Sequence, residues 1–437
     1  MAECLYPTMG SIKRNYRTRI LSSLAEAGQP AWDALVAAQS APNPFLSYAF
    51  LHAMHASGSA ADDTGWQPQY LTLWIEDDRD GGEDGDSEHG GDAGPDPAYA
   101  AGTGSTGSTL GTGHGRLAAA LPMYAKFHSY GEYVFDWAWA DAYKRNGLDY
   151  YPKLLSAIPF TPVSGNRLLA IDEHARAALV EALQGVQQAS GLSSTHILYP
   201  TEAEAKQLEA AGFLLRKGVQ FHWQNEGYDS FEQFLATLEM KKRKNIRAER
   251  RKVAEAGITL RQLRGEDATD ADWRFFKRCY DNTYQAHWST PYLNLDFFRR
   301  IGEAMPHNLL LAIAERDGRP IASSLLVYDD KALYGRYWGC IEQHPCLHFE
   351  TAYYQPLEFC IANRIPAFEG GAQGEHKMAR GFLPQQTWSA HWLAHPAFSD
   401  AVERFLKQEG KGIGAYMDEL NERNPFRDTG DKQAGSK

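Results

Sequence analysis

Between Glu369 and Phe382 the run EGGAQGEHKMARGF sets four glycines, two carboxylates, a histidine, a lysine and an arginine into fourteen residues. A core strand or helix cannot bury that many charges without partners. Glycine lets backbone approach a ligand closely, and Glu375, His376, Lys377 and Arg380 can move protons or hold anions. The segment therefore reads as part of a reaction site. The plainer alternative is a charged, Gly-rich surface turn packed on Phe382 and Trp388.

A second candidate is KKRKNIRAERRK, Lys241 to Lys252, with eight bases and one acid. On a helix Arg243, Arg247 and Arg250 fall three to four apart and share a face, as do Lys244 and Arg251. Such a cluster attracts phosphates and suits a coenzyme A or tRNA donor. The alternative is a solvated helix flank. General nucleic-acid binding is disfavoured, because the rest of the chain is not basic.

A third is ALYGRYWGCIEQHPCLHFETAYYQPLEF, beginning at Ala332. Glu350 leads a predicted helix that carries Tyr353, Tyr354 and Glu358. A carboxylate there could accept a proton from an amine beside an aromatic wall of Tyr337, Trp338 and Tyr354. Equally, it could serve the helix N-terminus electrostatically. Cys340, His344, Cys346 and His348 invite a zinc reading, but no CxxC knuckle is present. Core cysteines and a turn histidine are the better account, and no metal is predicted. There is no GxSxG, no GxGxxG after a strand and no GxxxxGK[ST], so neither a serine hydrolase of that type, a Rossmann cofactor nor a P-loop is indicated.

The elements that position these groups follow from organisation. The chain has 437 residues, enough for two or three domains. Its formal charge of −11 misleads, because ten acids against Arg79 alone between Glu76 and Asp96 supply −9 of it. Five cysteines, odd and few for the length, fit a reducing cytoplasm. The N-terminal bases precede no apolar run, so no signal peptide is read, and no stretch of 18 apolar residues predicts a membrane span.

Residues 77–115 hold almost no large apolar side chains and read as a disordered, acidic, Gly-rich hairpin insert. With that insert set aside, the chain repeats itself. PFLSYAFLHAM from Pro44 corresponds to PYLNLDFFRRI from Pro291. Strands YLTLWI and LLLAIAER follow, then the pairs Gly115-Arg116 and Gly318-Arg319. Aromatic strands, YGEYVFDWAWAD and ALYGRYWGC, come next, then the pairs Tyr150-Tyr151 and Tyr353-Tyr354. The Gly-Arg and Tyr pairs keep one offset, since 318 − 115 and 353 − 150 are both 203. Several segments in one order indicate a duplicated domain. The fold class expected is mixed α/β, two similar domains in tandem. Their bounds are 20–225 and 226–427, between an extension at 1–19 and a disordered tail at 428–437. The run from Phe231 to Ala256 is helical by its apolar period.

In their order, KRKNIRAERRK, RYWGC, LHFETAYYQ and FEGGAQGEHKMARGF resemble the FemAB-like, GNAT-related N-acyltransferases, in particular a bacterial group of predicted N-acyltransferases. The match runs from about Ile20 to Arg427. The resemblance implies tandem GNAT domains and transfer of an acyl or aminoacyl group to an amine, with acyl-CoA or aminoacyl-tRNA as donor. The GNAT pyrophosphate loop, usually Q/R-x-x-G-x-G/A, has no clear counterpart.

The expected roles follow from that mechanism. Arg243, Lys244, Arg247 and Arg250 would hold donor phosphates. Glu350, Glu375 and His376 are the base candidates. Lys377 and Arg380 would hold an anionic group or the oxyanion, and Tyr337, Trp338 and Tyr354 would line the cleft. The acceptor would be a small or peptide-like amine, and the location cytoplasmic. The first copy has SGNRLLAIDE where GAQGEHK should stand, so it would be structural or hold the acceptor. The rival reading is a non-catalytic tandem-GNAT module that binds a ligand or RNA.

Overall fold

In the computed structural model, which describes residues 15–76, 115–371 and 374–427, both halves contain the succession of a strand, two helices and a hairpin. In the first, β1 (Tyr16–Leu21) leads to α1 (Gln29–Ala37) and α2 (Tyr48–Ala56). After the short β2 (Trp66–Pro68), β3 (Tyr70–Ile75) and β4 (Arg116–Leu121) form an antiparallel hairpin. β3 also pairs with β1. The remaining elements of this half are β5 (Tyr124–Lys126), α3 (Trp137–Arg145), β6 (Lys153–Ser156), β7 (Leu169–Ala170), α4 (Glu173–Ser190), β8 (Ser194–Leu198), α5 (Glu202–Ala210) and β9 (Leu214–Gln224).

The second half begins with α6 (Phe231–Thr237) and α7 (Met240–Glu255). Then β10 (Ile258–Arg264) leads to α8 (Asp270–Ala286), α9 (Leu295–Ala304) and the hairpin of β11 (Leu309–Arg316) and β12 (Arg319–Tyr328). β10 pairs with β11 as β1 pairs with β3. The shared order of strand, two helices and hairpin is the duplication in three dimensions. The equivalent helices α2 and α9 pack together, with Phe50 edge-on to Phe297 at 5.6 Å. β13 (Ala332–Cys340), α10 (Leu347–Phe349), a π-helical turn (Glu350–Tyr354), α11 (Gln355–Ala362), β14 (Ala367–Glu369), β15 (Leu383–Leu393) and α12 (Pro396–Glu422) complete the chain.

Four expectations need correction. YGEYVFDWAWAD is not a strand. Residues 130–136 are irregular, and α3 then buries Trp139 and Tyr143, four apart on one face. Tyr150-Tyr151 lies in the extended approach to β6, while Tyr353-Tyr354 lies in the π-helical turn, so their common offset is not a structural equivalence. The helical run from Phe231 breaks between α6 and α7, where Leu238 is extended and bridges to Phe426. β1 begins at Tyr16, inside the supposed extension, because its backbone pairs along the whole of β3. The insert at 77–115, save Gly115, and the tail at 428–437 lie outside the described residues.

The halves do not separate at residue 225. β15 lies between β9 and β8, so strands of both halves join one eleven-stranded sheet. One apolar cluster also spans both, uniting Trp32, Phe45 and Phe50 with Phe276, Phe297 and Leu325. Each such aromatic contributes about 1.5–3 kcal/mol by leaving water, so the halves fold onto a common core. Among the described residues no helix is long and apolar enough to cross a membrane.

Candidate active site

β13 and β14 pair in parallel only from Ala332 opposite Ala367 to Tyr334 opposite Glu369. β14 then ends at Gly370-Gly371, while β13 runs on to Cys340. The β12–β13 register skips Arg336: Leu325 faces Tyr337, and Leu326 faces Gly335. A bulge at that point bends the strand and re-aims its side chains. The parting strands open a cavity of about 310 Å³, whose walls include Arg336, Tyr337, Trp338, His348, Tyr353, His376 and Lys377. A second cavity of about 270 Å³ shares Arg336, Tyr337, Trp338 and Gly371 with it, and is closed by Tyr133 and Pro162 of the first half and by Tyr280 and Tyr284 of α8.

His376 sits in a 3-10 turn, Glu375–Arg380. Its Nε2 meets the Tyr353 hydroxyl at 3.3 Å. Desolvation pushes its pKa down, and the charges of Arg380 and Lys377 add to the effect. The imidazole is therefore neutral at neutral pH and able to take a proton. Gly374 sits at φ 114°, where a side chain is strained, and a Cβ there would stand 2.4 Å from the His376 ring and displace it. Lys377 is buried, and its Nζ donates to the Gly371 carbonyl at 2.9 Å. Among the described residues no carboxylate lies within ion-pair distance of it. Burial pushes its pKa down to about 8.

The other candidates lie elsewhere. Glu375 is exposed and turned toward α12, where it accepts from the Tyr416 hydroxyl at 2.7 Å and from Arg423 at 3.1 Å. The Tyr416 hydrogen bond, with Arg423, pulls its pKa down. Arg380 lies 3.5 Å over the Phe349 ring and donates to Glu249 at 2.9 Å and to the His376 carbonyl at 2.8 Å. It braces the turn rather than presenting a free charge. Tyr354 is fully buried, and its hydroxyl donates to Glu249.

Glu350 is buried in the π-helical turn, where Arg250 donates to it at 3.0–3.2 Å and Gln355 at 2.9 Å. Arg250 also holds Glu358 at 2.7 Å. Arg250, Glu350 and Gln355 line a separate cavity of about 480 Å³ that shares no lining residue with the cleft. Arg247 pairs with Glu232. Arg243 and Lys244 have no carboxylate within ion-pair distance among the described residues. The basic helix and the Gly-rich segment meet through Glu249 and Arg380, but the bases of α7 do not converge on His376.

Of the residues in the zinc reading, His344 bonds Glu342 at 2.6 Å, and His348 lies against Trp338 in the cleft. Among the described residues no three metal-ligating side chains come together. Sequence reasoning missed Arg336, His348 and Tyr353 as lining, and Tyr133 from the other half. Burial holds His348 neutral, with its pKa lowered to about 4. The available signals were the double glycine closing a strand and an arginine inside an aromatic strand.

The chain belongs to the FemAB-like family, described as peptidoglycan biosynthesis/recognition, which matches residues 23–82 and 98–428. The unmatched gap falls inside the acidic insert. Among solved structures, FemX is 11% identical with a TM-score of 0.50, over 86% of this chain and 98% of its own. A tandem GNAT protein from the clavulanic acid biosynthesis pathway is 10% identical with a TM-score of 0.42, over 87% and 99%. L-PGS from Bacillus licheniformis is 11% identical with a TM-score of 0.42, over 65% and 86%. No curated protein matches the chain. The fold is thus mixed α/β in two similar halves, like that of FemX, and the family supports an acyl- or aminoacyl-transferring enzyme in general.

Proposed function

We propose that the protein transfers an acyl or aminoacyl group from an activated donor directly to an amine, in the cleft where β13 and β14 part. The observation that carries this reading is the pairing, in one cavity, of a neutral imidazole with a buried ammonium that lacks a carboxylate. The amine nitrogen attacks the donor carbonyl carbon, forming the C–N bond, while His376 takes the amine proton. Lys377 has further N–H groups besides the one given to Gly371 and donates to the oxyanion. Collapse of the tetrahedral intermediate breaks the bond to the leaving oxygen or sulfur, which recovers the proton from His376. Tyr337 and Trp338 wall the reacting groups and fix their approach.

Of the two donors, aminoacyl-tRNA is favoured. The turn between β13 and α10, where a GNAT-type pyrophosphate loop would stand, contains no glycine. It carries Glu342, whose carboxylate is taken up by Arg316 and His344. In contrast, Lys241 to Lys244 at the start of α7 offer four cations with no ion pair among the described residues, a fit to a phosphate backbone. The family description favours an amine of a cell-wall peptide as acceptor, and a cytoplasmic location is proposed with it.

The test is transfer of radiolabel from charged tRNA or from acetyl-CoA into acid-soluble peptide amines. tRNA-dependent transfer is expected, falling about 10²- to 10⁴-fold in His376→Asn with folding intact. Binding of a donor without turnover of either would instead make the chain a ligand- or RNA-binding module.

A further inference from the structure

We propose that the second cavity, between the two halves, is a subsite for an oxyanion of the acceptor, a carboxylate or a phosphate, held by Arg336 and tyrosine hydroxyls. This rests on the reading above that transfer takes place at His376. Arg336 is the bulged residue of β13, and its side chain lines both cavities. The guanidinium lies over the rings of Phe45 at 5.6 Å and Tyr337 at 5.0 Å, so its plane is fixed. Its Nη2 donates to the Phe160 carbonyl and, at 3.4 Å, to the Tyr337 hydroxyl, while its Nε is buried with no hydrogen-bond partner among the described residues. Among the described residues no carboxylate lies within ion-pair distance of it. Arg250 and Arg380, also drawn into the packing, each hold a carboxylate. Burial pushes the pKa of the Glu369 carboxyl up to about 8 against the charge of Arg336. A guanidinium without an ion pair among the described residues is a site for a planar oxyanion.

The walls suit that ligand. Tyr133, Tyr280, Tyr284 and Tyr337 line the cavity, and of these the Tyr337 hydroxyl donates to the Phe160 carbonyl at 3.4 Å. Burial pushes the pKa of Tyr133, Tyr280 and Tyr284 up, so these hydroxyls stay protonated and able to donate. Tyr133 comes from the first half and sits at φ 61°, a conformation that a bulky residue adopts only when its surroundings impose it. Lys153 anchors the loop that carries Tyr133. It is fully buried and grips the loop on both sides of Tyr133, donating to Ser129 at 2.9 Å, to Glu132 at 2.8 Å and to Asp136. The first half thus supplies one wall of the subsite and the buried lysine that steadies it. Because the two cavities share Arg336, Tyr337, Trp338 and Gly371 as walls, an acceptor anchored at Arg336 lies next to the cavity that holds His376.

Benzoate and phenyl phosphate serve as probes, titrated against the full chain by saturation-transfer NMR. Saturable binding of at least one is expected, weakened about tenfold or more in Arg336→Gln, a loss typical of a charge-assisted pair. Lys377→Ala should leave that binding unchanged. Preference for benzoate would assign a carboxylate, and preference for phenyl phosphate a phosphate. If neither probe saturates, or if folded Arg336→Gln binds as the parent does, the subsite is wrong. Should Arg336→Gln unfold, Tyr133→Phe removes one hydroxyl and no charge. A several-fold loss of affinity is then expected, and unchanged affinity overturns the proposal. The transfer assay separates the two readings. Parent-like probe binding in Arg336→Gln beside lost transfer in His376→Asn sinks the subsite alone. Normal transfer in His376→Asn sinks the reaction centre whatever the probes do.

Discussion

Two neighbouring residues with opposite charge habits set the expected pH behaviour. His376 must be neutral to take a proton, and its lowered pKa extends the neutral form below the usual histidine range. Lys377 must be charged to steady an oxyanion, and it loses its proton near pH 8. The profile of kcat/KM should therefore be bell-shaped, with an acid limb centred below pH 6.5, the ordinary histidine value, and an alkaline limb near 8. His376→Asn should abolish the acid limb and Lys377→Ala the alkaline one, whereas Glu375→Gln should move neither. A profile in which Glu375→Gln removes a limb would return that residue to the reaction. The sequence offered Glu375 and His376, with Glu350, as base candidates, and Lys377 as holder of an anionic group or the oxyanion. In a 3-10 turn successive side chains point about 120° apart, so Glu375 turns toward α12 while His376 and Lys377 reach the cavity. Which of them faces it depends on Tyr416 and Arg423, some forty residues further on, and no local pattern carries that information.

At the scale of elements, α7 has two parts with different tasks. Its C-terminal half is locked to the π-helical turn and α11 by Arg250, which grips Glu350 and Glu358 over the ring of Phe231. Its start carries Lys241 to Lys244, which have no ion pair among the described residues. Arg250→Ala would leave Glu350 buried and short of its cation. Such a loss costs about 3–5 kcal/mol when both charges are buried, and less here because Arg250 is about a quarter exposed. About 2 kcal/mol, read as a lower urea midpoint at unchanged slope, is the expectation. Arg243→Ala with Lys244→Ala should leave the midpoint alone, weaken tRNA binding and flatten its salt dependence. Equal midpoints for both variants would mean that the clamp contributes nothing. The helix itself was legible from its period, and so was the repeat, because β–α–α–β–β units rest on local patterning. The misread strand shows the limit. In WAWADAYKR the alternating tryptophans suggest a period of two, yet the buried pair is Trp139 with Tyr143, and Trp137 stays exposed. The partners of Arg250 lie a hundred residues away, so a basic stripe and an ion-pair clamp look alike in sequence.

At the scale of the whole molecule, the seam between the halves carries charge-sensitive groups. β15 pairs with β8, and at their register His391 faces His196, with the Nδ1 atoms 2.8 Å apart. Both rings are buried. His196 bonds the Tyr150 hydroxyl, which donates to Asp136, itself held by Lys153. Desolvation, with Lys153 adding and Asp136 opposing, lowers the His196 pKa to about 3. Desolvation, His196 and Arg216 push His391 well down. Below pH 6.5 the unfolded chain thus binds protons that the folded seam refuses, and stability falls with pH. Each histidine should cost about 1.4 kcal/mol per pH unit there, roughly 2 kcal/mol between pH 6.5 and 5. Glu132 acts in the opposite direction. Burial raises its pKa to about 7, so the folded state takes its proton first and gains stability as pH falls from 7 toward the ordinary carboxylate range. The net slope therefore mixes groups, and a difference between variants isolates the pair. Urea unfolding at pH 7 and pH 5 should show the parent losing more stability than His196→Asn with His391→Asn, by up to about 4 kcal/mol for the two groups. Equal losses would mean that the paired histidines do not control how the halves hold together in acid.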